Sequence, residues 1–455
     1  MRWHSLTYNR GWNSALENLL ADKKSRAVPA SRVGRLGRMA KLAGGLAGGF
    51  IAEGSRRLAQ GERPRARDML LTPGNARRLT DELAHMRGAA MKMGQMLSME
   101  TGEFLPPELT DILARLRSDG FSMPPKQLQQ TMTEAYGEDW EELFYGFDAK
   151  PIAAASIGQV HRAYAPDGRE IVLKIQYPGV ARSIDSDVDN ISGLLRVSGL
   201  LPEGIDIKPL LADAKEQLRD EADYLLEAEH LKTYGEALAD DDRFLVPEVI
   251  EDLVREQVLP MTYLASEPIE TIADLPQEDR DRLCSALMEL MLLEFFGWRM
   301  VQTDPNFANY RYKSETGQLV LLDFGATRYF KAGFVNGYKA LVRAAIKQDG
   351  KKLIKATEKL GYVVAGANDE YTQLVEQVLL MALESLAYDG AYDFGATDLP
   401  ARLAAYTESI QDFKEFWQAP PTDAVFFHRK IGGIFMLASR MKARVNIREL
   451  AQRWV

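Results

Sequence analysis

The sequence predicts an α+β fold of two lobes with a helical extension in front of them. Three observations lead there. Residues 77–146 carry helical periodicity, the text from Ile152 to Ile175 changes to short apolar runs of strand type, and from Gln277 onward helical stretches enclose a loop and two short strands that end at Asp323. Strands grouped in one part of the chain and helices in another favour a segregated α+β arrangement over an alternating one.

Each element has its own signal. Up to Lys41 the chain holds nine basic residues (Arg2, Arg10, Lys23, Lys24, Arg26, Arg32, Arg35, Arg38 and Lys41) against Glu17 and Asp22. A basic arm of this kind suits an anionic membrane surface, and equally a solvated terminus. The longest apolar run, Leu42 to Ala52, has eleven residues, where a spanning helix needs roughly 20. No signal peptide is expected from the polar and aromatic opening residues. Asp81 to Glu100 places Leu83, Met86, Ala90, Met93 and Leu97 at helical spacing. A Pro166-Asp167-Gly168 turn separates two strand runs, the second being Ile171 to Ile175. A helix-rich stretch from about Val188 to Ala237 follows, then strand-like runs at Phe244–Ile250 and Gln257–Leu264 and a long helix over Gln277–Trp298.

Composition narrows the function. A hydrophobic fraction of 46% and a charged fraction of 27% belong to an ordinary globular chain. The net charge of -9 argues against nucleic acid as a partner. The single cysteine, Cys284, excludes an internal disulfide, and the five scattered histidines lack metal-ligand spacing.

The chemistry sits in five short strings. The first joins VQTDPNFANY to LVLLDFGAT. Phosphoryl transfer needs a carboxylate near the attacking oxygen and oxygen ligands that hold magnesium against the phosphates. In kinases an Asp followed five residues later by Asn, then a DFG after an apolar strand, supplies these groups. Asp304, Asn309 and Asp323 have that order. The second is Lys174 in Ile171-Val172-Leu173-Lys174-Ile175, where a kinase carries its phosphate-binding lysine. The third, Ala153 to Ala163, stands where a glycine-rich phosphate loop would be, but only Gly158 remains. Alanine forbids most of the angles that wrap phosphates, so this loop is expected to be stiff, with Ser156 offering a hydroxyl; a tight strand connection explains the string as well. The fourth is Glu221-Ala222-Asp223 with Glu227 following. Asp223 and Glu227 are read as sharing one helix face, from which a carboxylate reaches Lys174, or as a solvated acidic face. The fifth is Lys92-Met93-Gly94-Gln95, whose polar pair on an apolar stripe reads, by itself, as a helix-packing motif.

Together and in this order, the strings resemble the UbiB family of ADCK-type atypical kinases, from about Val33 to the C-terminus. KMGQ resembles the family's KxGQ motif, AAAS its alanine-rich loop, EAD its ExD motif, and QTDPNFAN with DFG its catalytic loop and metal site. FFHRKIGGIF, Phe426 to Phe435, is similar to a late helix of the family. The QTDPN form is closer to the branch that supports coenzyme Q synthesis.

The resemblance implies a two-lobed protein-kinase-like fold with an N-terminal helical extension. Its expected parts are a basic segment at 1–60, the KxGQ extension at 61–150, an N-lobe at 151–264 and a helical C-lobe at 265–455. It implies ATP or ADP with Mg2+ as cofactors and Asp304, Lys174 and Glu227 as catalytic groups. Ala153, Ala154, Ala155, Ser156, Lys174, Met261 and Tyr263 are the implied nucleotide contacts, and Asn309 and Asp323 the metal ligands. Lys92, Gln95, Glu221 and Asp223 form the implied regulatory set, with Lys92 reaching the two carboxylates. The implied partners are the nucleotide, an anionic lipid or quinone precursor, and quinone-biosynthesis proteins. The implied place is the cytoplasmic face of a bacterial inner membrane or the mitochondrial matrix side.

Two absences limit the activity. Gln302 and Thr303 stand where ordinary protein kinases have His-Arg, so an activation-loop phosphate lacks its docking cation. No Ala-Pro-Glu follows the DFG. Ordinary protein kinase activity is therefore not expected; a small-molecule kinase, or a nucleotide-gated scaffold or lipid-binding adaptor, are the alternatives.

Overall fold

The computed structural model describes residue 44 and residues 88–90, 123–155, 157–198, 208–304, 306–363, 368–406 and 421–455. The basic segment apart from residue 44, and Lys92, Gln95 and Ser156, lie outside the described residues. The chain divides into two units: one runs to Lys232 and includes Pro247–Tyr263, and the other takes Thr233–Val246 and Leu264–Val455.

In the first unit helix α1 (Pro125–Tyr136) begins with a proline in its first turn, where no backbone donor is lost, and stops at Gly137 with φ 92°. Strands β1 (Ala153–Ala154), β2 (Gly158–Tyr164) and β3 (Glu170–Gln176) follow. The Pro166-Asp167-Gly168 turn joins β2 to β3 as the sequence predicts. Strand β4 (Phe244–Leu245) belongs to the second unit, and β5 (Val258–Thr262) completes an antiparallel sheet in the order β1-β2-β3-β5.

Successive strand side chains point to opposite faces. Ile171, Leu173 and Ile175 share one buried cluster with Leu128, Met132 and Trp140, so α1 and the turn after it cover that face. Each large apolar side chain buried there contributes about 1.5–3 kcal/mol. Val172, Lys174 and Gln176 fall on the other face, which is also covered, since all three are buried.

Helices α2 (Val180–Ser198), α3 (Lys208–Glu221) and α4 (Tyr224–Ala237) follow the sheet. The sequence reading put Asp223 and Glu227 on a single helix face. Instead one helix stops at Glu221 and Asp223 starts the next: its Oδ1 accepts the backbone N–H of Leu226 at 2.9 Å, an N-cap bond.

The second unit holds β6 (Glu267–Pro268) and α5 (Gln277–Leu292), which widens into a π-helical turn over Leu293–Trp298. The predicted long helix is there, but its last turn is not α. Arg299, at φ 58°, ends it. Strands β7 (Met300–Gln302), β8 (Tyr310–Lys313), β9 (Gln318–Leu321) and β10 (Thr327–Tyr329) come next. One sheet runs β4-β9-β8-β6, with β4 and β9 parallel, and β7 pairs with β10. Helices α6 (Ala332–Ile346), α7 (Gly350–Leu360), α8 (Asp369–Ala382) and α9 (Thr422–Arg440) follow, separated by short elements. Phe295 stacks on Phe427 at 3.6 Å and meets Phe330 and Tyr338 edge-on, which pins α9 to the π-helical turn. Among the described residues no helix is long and apolar enough to cross a membrane.

Candidate functional site

The predicted site residues form two clusters, each within its own unit. In the first unit strand alternation aims Lys174 away from the α1 core. Its Nζ donates to both Glu227 oxygens, at 2.7 and 2.8 Å, and lies 5.3 Å from the centre of the Tyr224 ring. The Asp223 cap fixes the start of α4, and Glu227 sits in its first turn. Asp223 is thus a positioning group for the partner of Lys174. Glu221 is buried at the end of α3, and Gln176, one sheet position beyond Lys174, donates to the carbonyl of Ala222 at 2.6 Å. The break that carries the ExD string is therefore tied to β3 by a side-chain bond.

The alanine-rich string makes a tight turn. Ala153 and Ala154 pair with Val160 and Gln159, and the Ala155 N–H donates to the Gly158 carbonyl at 2.8 Å. Ala153 and Ala154 are exposed and Ala155 half-buried. Gly158 has a packing reason: a Cβ there would stand 2.3 Å from the Ile175 carbonyl oxygen. The one glycine left in the loop thus serves the approach of β2 to β3. Met261 is buried in β5 opposite Val172, and the Tyr263 ring lies 4.2 Å beneath the Arg162 guanidinium.

His161, a residue without a role in the sequence reading, is enclosed on the α1 side. Its Nδ1–H donates to the Asp148 carbonyl at 2.8 Å, so Nε2 accepts from the Gln159 amide, also at 2.8 Å. Burial pushes its pKa down to about 4. It is a structural histidine.

In the second unit two strand pairings bracket two loops. Gln302 pairs with Thr327 across β7 and β10, and Tyr310 pairs with Leu321 across β8 and β9. Residues 303, 304, 306–309 and 322–326 lie between those brackets, and the two loops are held side by side. Thr303 binds the Ala326 carbonyl through both its N–H, at 3.0 Å, and its hydroxyl, at 2.8 Å, while the Leu322 N–H donates to the Asn309 carbonyl at 3.0 Å. Within this frame the Asn309 amide donates to Asp304 Oδ2 at 3.1 Å. That bond uses the nitrogen of Asn309 and turns its oxygen elsewhere. Asp323 Oδ1 accepts the Gly325 N–H at 3.1 Å, and Phe324 is buried against the Tyr234 ring, 4.5 Å between centroids.

These groups fit magnesium. Among the described residues no three His, Cys, Asp or Glu side chains converge as a metal cage. Magnesium is ordinarily bound by one or two carboxylates, with water and phosphate oxygens completing its octahedron. The carboxylate of half-buried Asp323 and the amide oxygen of Asn309 are donors of that hard kind.

Sequence reasoning missed the buried polar groups behind these loops: Tyr234, Glu294, Tyr310 and Lys430. Burial lowers the Lys430 pKa, but the Glu294 charge and the Tyr310 hydroxyl outweigh it and hold the ammonium form. The run His428-Arg429-Lys430 inside the Phe426–Phe435 string, polar groups flanked by aromatic and aliphatic residues, was the available signal.

Residues 115–357 match the family described as ABC1 atypical kinase-like domain. The chain is 38% identical over 437 residues to "Atypical kinase coq-8, mitochondrial" of Caenorhabditis elegans, covering 94% of this chain and 58% of that protein. It is 36% identical to "Atypical kinase COQ8B, mitochondrial" of Rattus norvegicus, covering 95% of this chain and 82% of the relative. Among solved structures, that of the Rv3197–erythromycin complex from Mycobacterium tuberculosis superimposes with a TM-score of 0.61 at 25% identity, covering 84% of this chain and 95% of the other.

Proposed function

The chain belongs to the ABC1 atypical kinase-like family, and we propose that it binds ATP or ADP with magnesium as an unorthodox kinase or ATPase supporting coenzyme Q biosynthesis. The observation that carries this reading is the fixing of loops 303–309 and 322–326 side by side, with Asn309 bonded to Asp304. Two oxygen donors and a nearby second carboxylate, held by backbone bonds between the two loops, are the preorganisation that phosphoryl transfer needs.

In this reading Asp323 and Asn309 hold the magnesium ion, which neutralises phosphate charge. Asp304 orients the attacking hydroxyl or water and takes its proton. Lys174, oriented by Glu227, holds phosphate oxygens. The stiff Ala153–Ala155 turn, Ser156, Met261 and Tyr263 line the nucleotide. Lys92 and Gln95, with Glu221 and Asp223, restrain transfer to protein acceptors. The basic segment before residue 60 brings the chain to an anionic membrane face, on the cytoplasmic side in a bacterium or the matrix side in a mitochondrion, near quinone precursors and the proteins that process them.

Quinone profiling in a strain lacking this protein tests the proposal. Wild type restores quinone, whereas Asp323→Asn, expressed to the same level, leaves precursors accumulated. Full restoration by Asp323→Asn would overturn it.

A further inference from the structure

The Phe426–Phe435 string has no part in the function proposed above, yet Lys430 within it is almost wholly enclosed, 2% exposed. Its Nζ donates to the Tyr310 hydroxyl at 2.9 Å and to Gln302 Oε1 at 3.4 Å. It also lies 3.0 Å from Glu294 Oε2, an ion pair by distance rather than a well-angled hydrogen bond. The other Glu294 oxygen accepts from the Tyr234 hydroxyl at 2.7 Å and from the Gln302 backbone N–H at 3.3 Å. Glu294 itself sits on the π-helical turn, and such widened turns are common where a side chain must be re-aimed.

The network's contacts fall beside the metal-ligand candidates. Gln302 is two residues before Asp304, Tyr310 directly follows Asn309, and Phe324, which directly follows Asp323, packs on Tyr234. A cavity of about 10 Å³ has Glu294, Gln302, Tyr310 and Lys430 in its wall together with Asn309 and Asp323. Packing alone does not call for such a group. A buried ion pair is often no more stabilising than apolar side chains of the same shape, and its return lies elsewhere.

We propose that Lys430 and Glu294 are positioning residues that hold Asn309 and Asp323 in the geometry that captures magnesium. The proposal rests on the magnesium reading of those two residues. The ion pair would act on the metal through the backbone of the two loops, one step further back than the partners bonded directly to metal ligands, whose loss typically costs about 10–100-fold in metal affinity, so the lower end of that range is the one expected here.

The test compares full-length wild type with the double variant Glu294→Gln, Lys430→Met, which removes both charges and keeps the volume, and with Tyr310→Phe, which removes one hydroxyl. The magnesium concentration that half-saturates the ADP-induced thermal shift is measured for each, along with amide exchange of 302–310 and 322–326 in the metal-free protein. The double variant is expected to melt near wild type, to need about tenfold more magnesium, and to exchange faster in both loops. Tyr310→Phe is expected to move the same way by a smaller factor. If a folded double variant keeps the wild-type magnesium requirement, Lys430 and Glu294 are packing residues and the proposal is wrong. If the double variant does not fold, Tyr310→Phe decides: an unchanged requirement overturns the proposal and a raised one supports it. A wild type with no magnesium-dependent shift removes the function reading and this inference together, an outcome distinct from the others.

Discussion

Among the described residues each unit buries a lysine against a glutamate, and the two pairs differ in what surrounds them. Lys174 and Glu227 are 10% and 1% exposed at their side chains, and the glutamate arrives on the first turn of a capped helix. Lys430 and Glu294 are 2% and 1% exposed and are enclosed by tyrosine hydroxyls and the Gln302 amide. A pair that retains some exposure can exchange partners with a ligand, whereas a pair sealed by hydrogen bonds can only hold what is bonded to it. On the function proposed above, the same chemistry serves a binding group in one unit and a positioning group in the other.

Removing one partner sharpens the contrast. Lys430→Met leaves the Glu294 charge buried alone, and a loss of about 3–5 kcal/mol is expected. Lys174→Met falls at the lower end of that range, because water reaches its site more easily. Urea unfolding of the two single variants checks the order, and a larger loss at Lys174 would break the comparison. Adding Glu227→Gln to Lys174→Met should recover stability and leave nucleotide binding lost.

His161 is buried as the two lysines are, but it stays neutral. Its pKa falls from 6.5 in the unfolded chain to about 4 in the folded one, through burial. The unfolded chain therefore binds the extra proton between those values. Stability is whole above pH 6.5 and is lost as pH falls toward 4, by about 3 kcal/mol in all. Protonating Nε2 would also set its N–H against the donating Gln159 amide. Unfolding followed by the fluorescence of buried Trp140 at pH 7 and pH 4.5 checks this, with His161→Gln as the control. A pH dependence that survives unchanged in a folded control would place the effect on other groups.

How much could be read beforehand follows from how local each feature is. Asp304, Asn309 and Asp323 were legible because spacing along the chain and one apolar strand define them. Lys174 was legible because the alternation of Ile171, Leu173 and Ile175 sets its face. The role of Asp223 was not, since an N-cap and a mid-helix acid look alike until the break at Ala222 is seen. The packing constraint on Gly158 was not legible either, because the close approach of β3 that leaves no room for a Cβ is not visible in the string. The Lys430 network was hidden because its members are far apart in the chain: Gln302 is 128 residues from Lys430, and Tyr234 is 60 from Glu294. Periodicity cannot pair such residues; tertiary packing does, as where Phe295 on the π-helical turn stacks on Phe427 of α9.

The function proposed above stands on Asp323, with Asn309, binding nucleotide through magnesium. Titration calorimetry of ADP into the wild-type chain, once with magnesium and once with a chelator, tests it most directly, with Asp323→Asn run beside it. Binding is expected to need magnesium in the wild type and to be lost or greatly weakened in Asp323→Asn. Equal affinity with and without magnesium, or an unchanged magnesium dependence in Asp323→Asn, would contradict it.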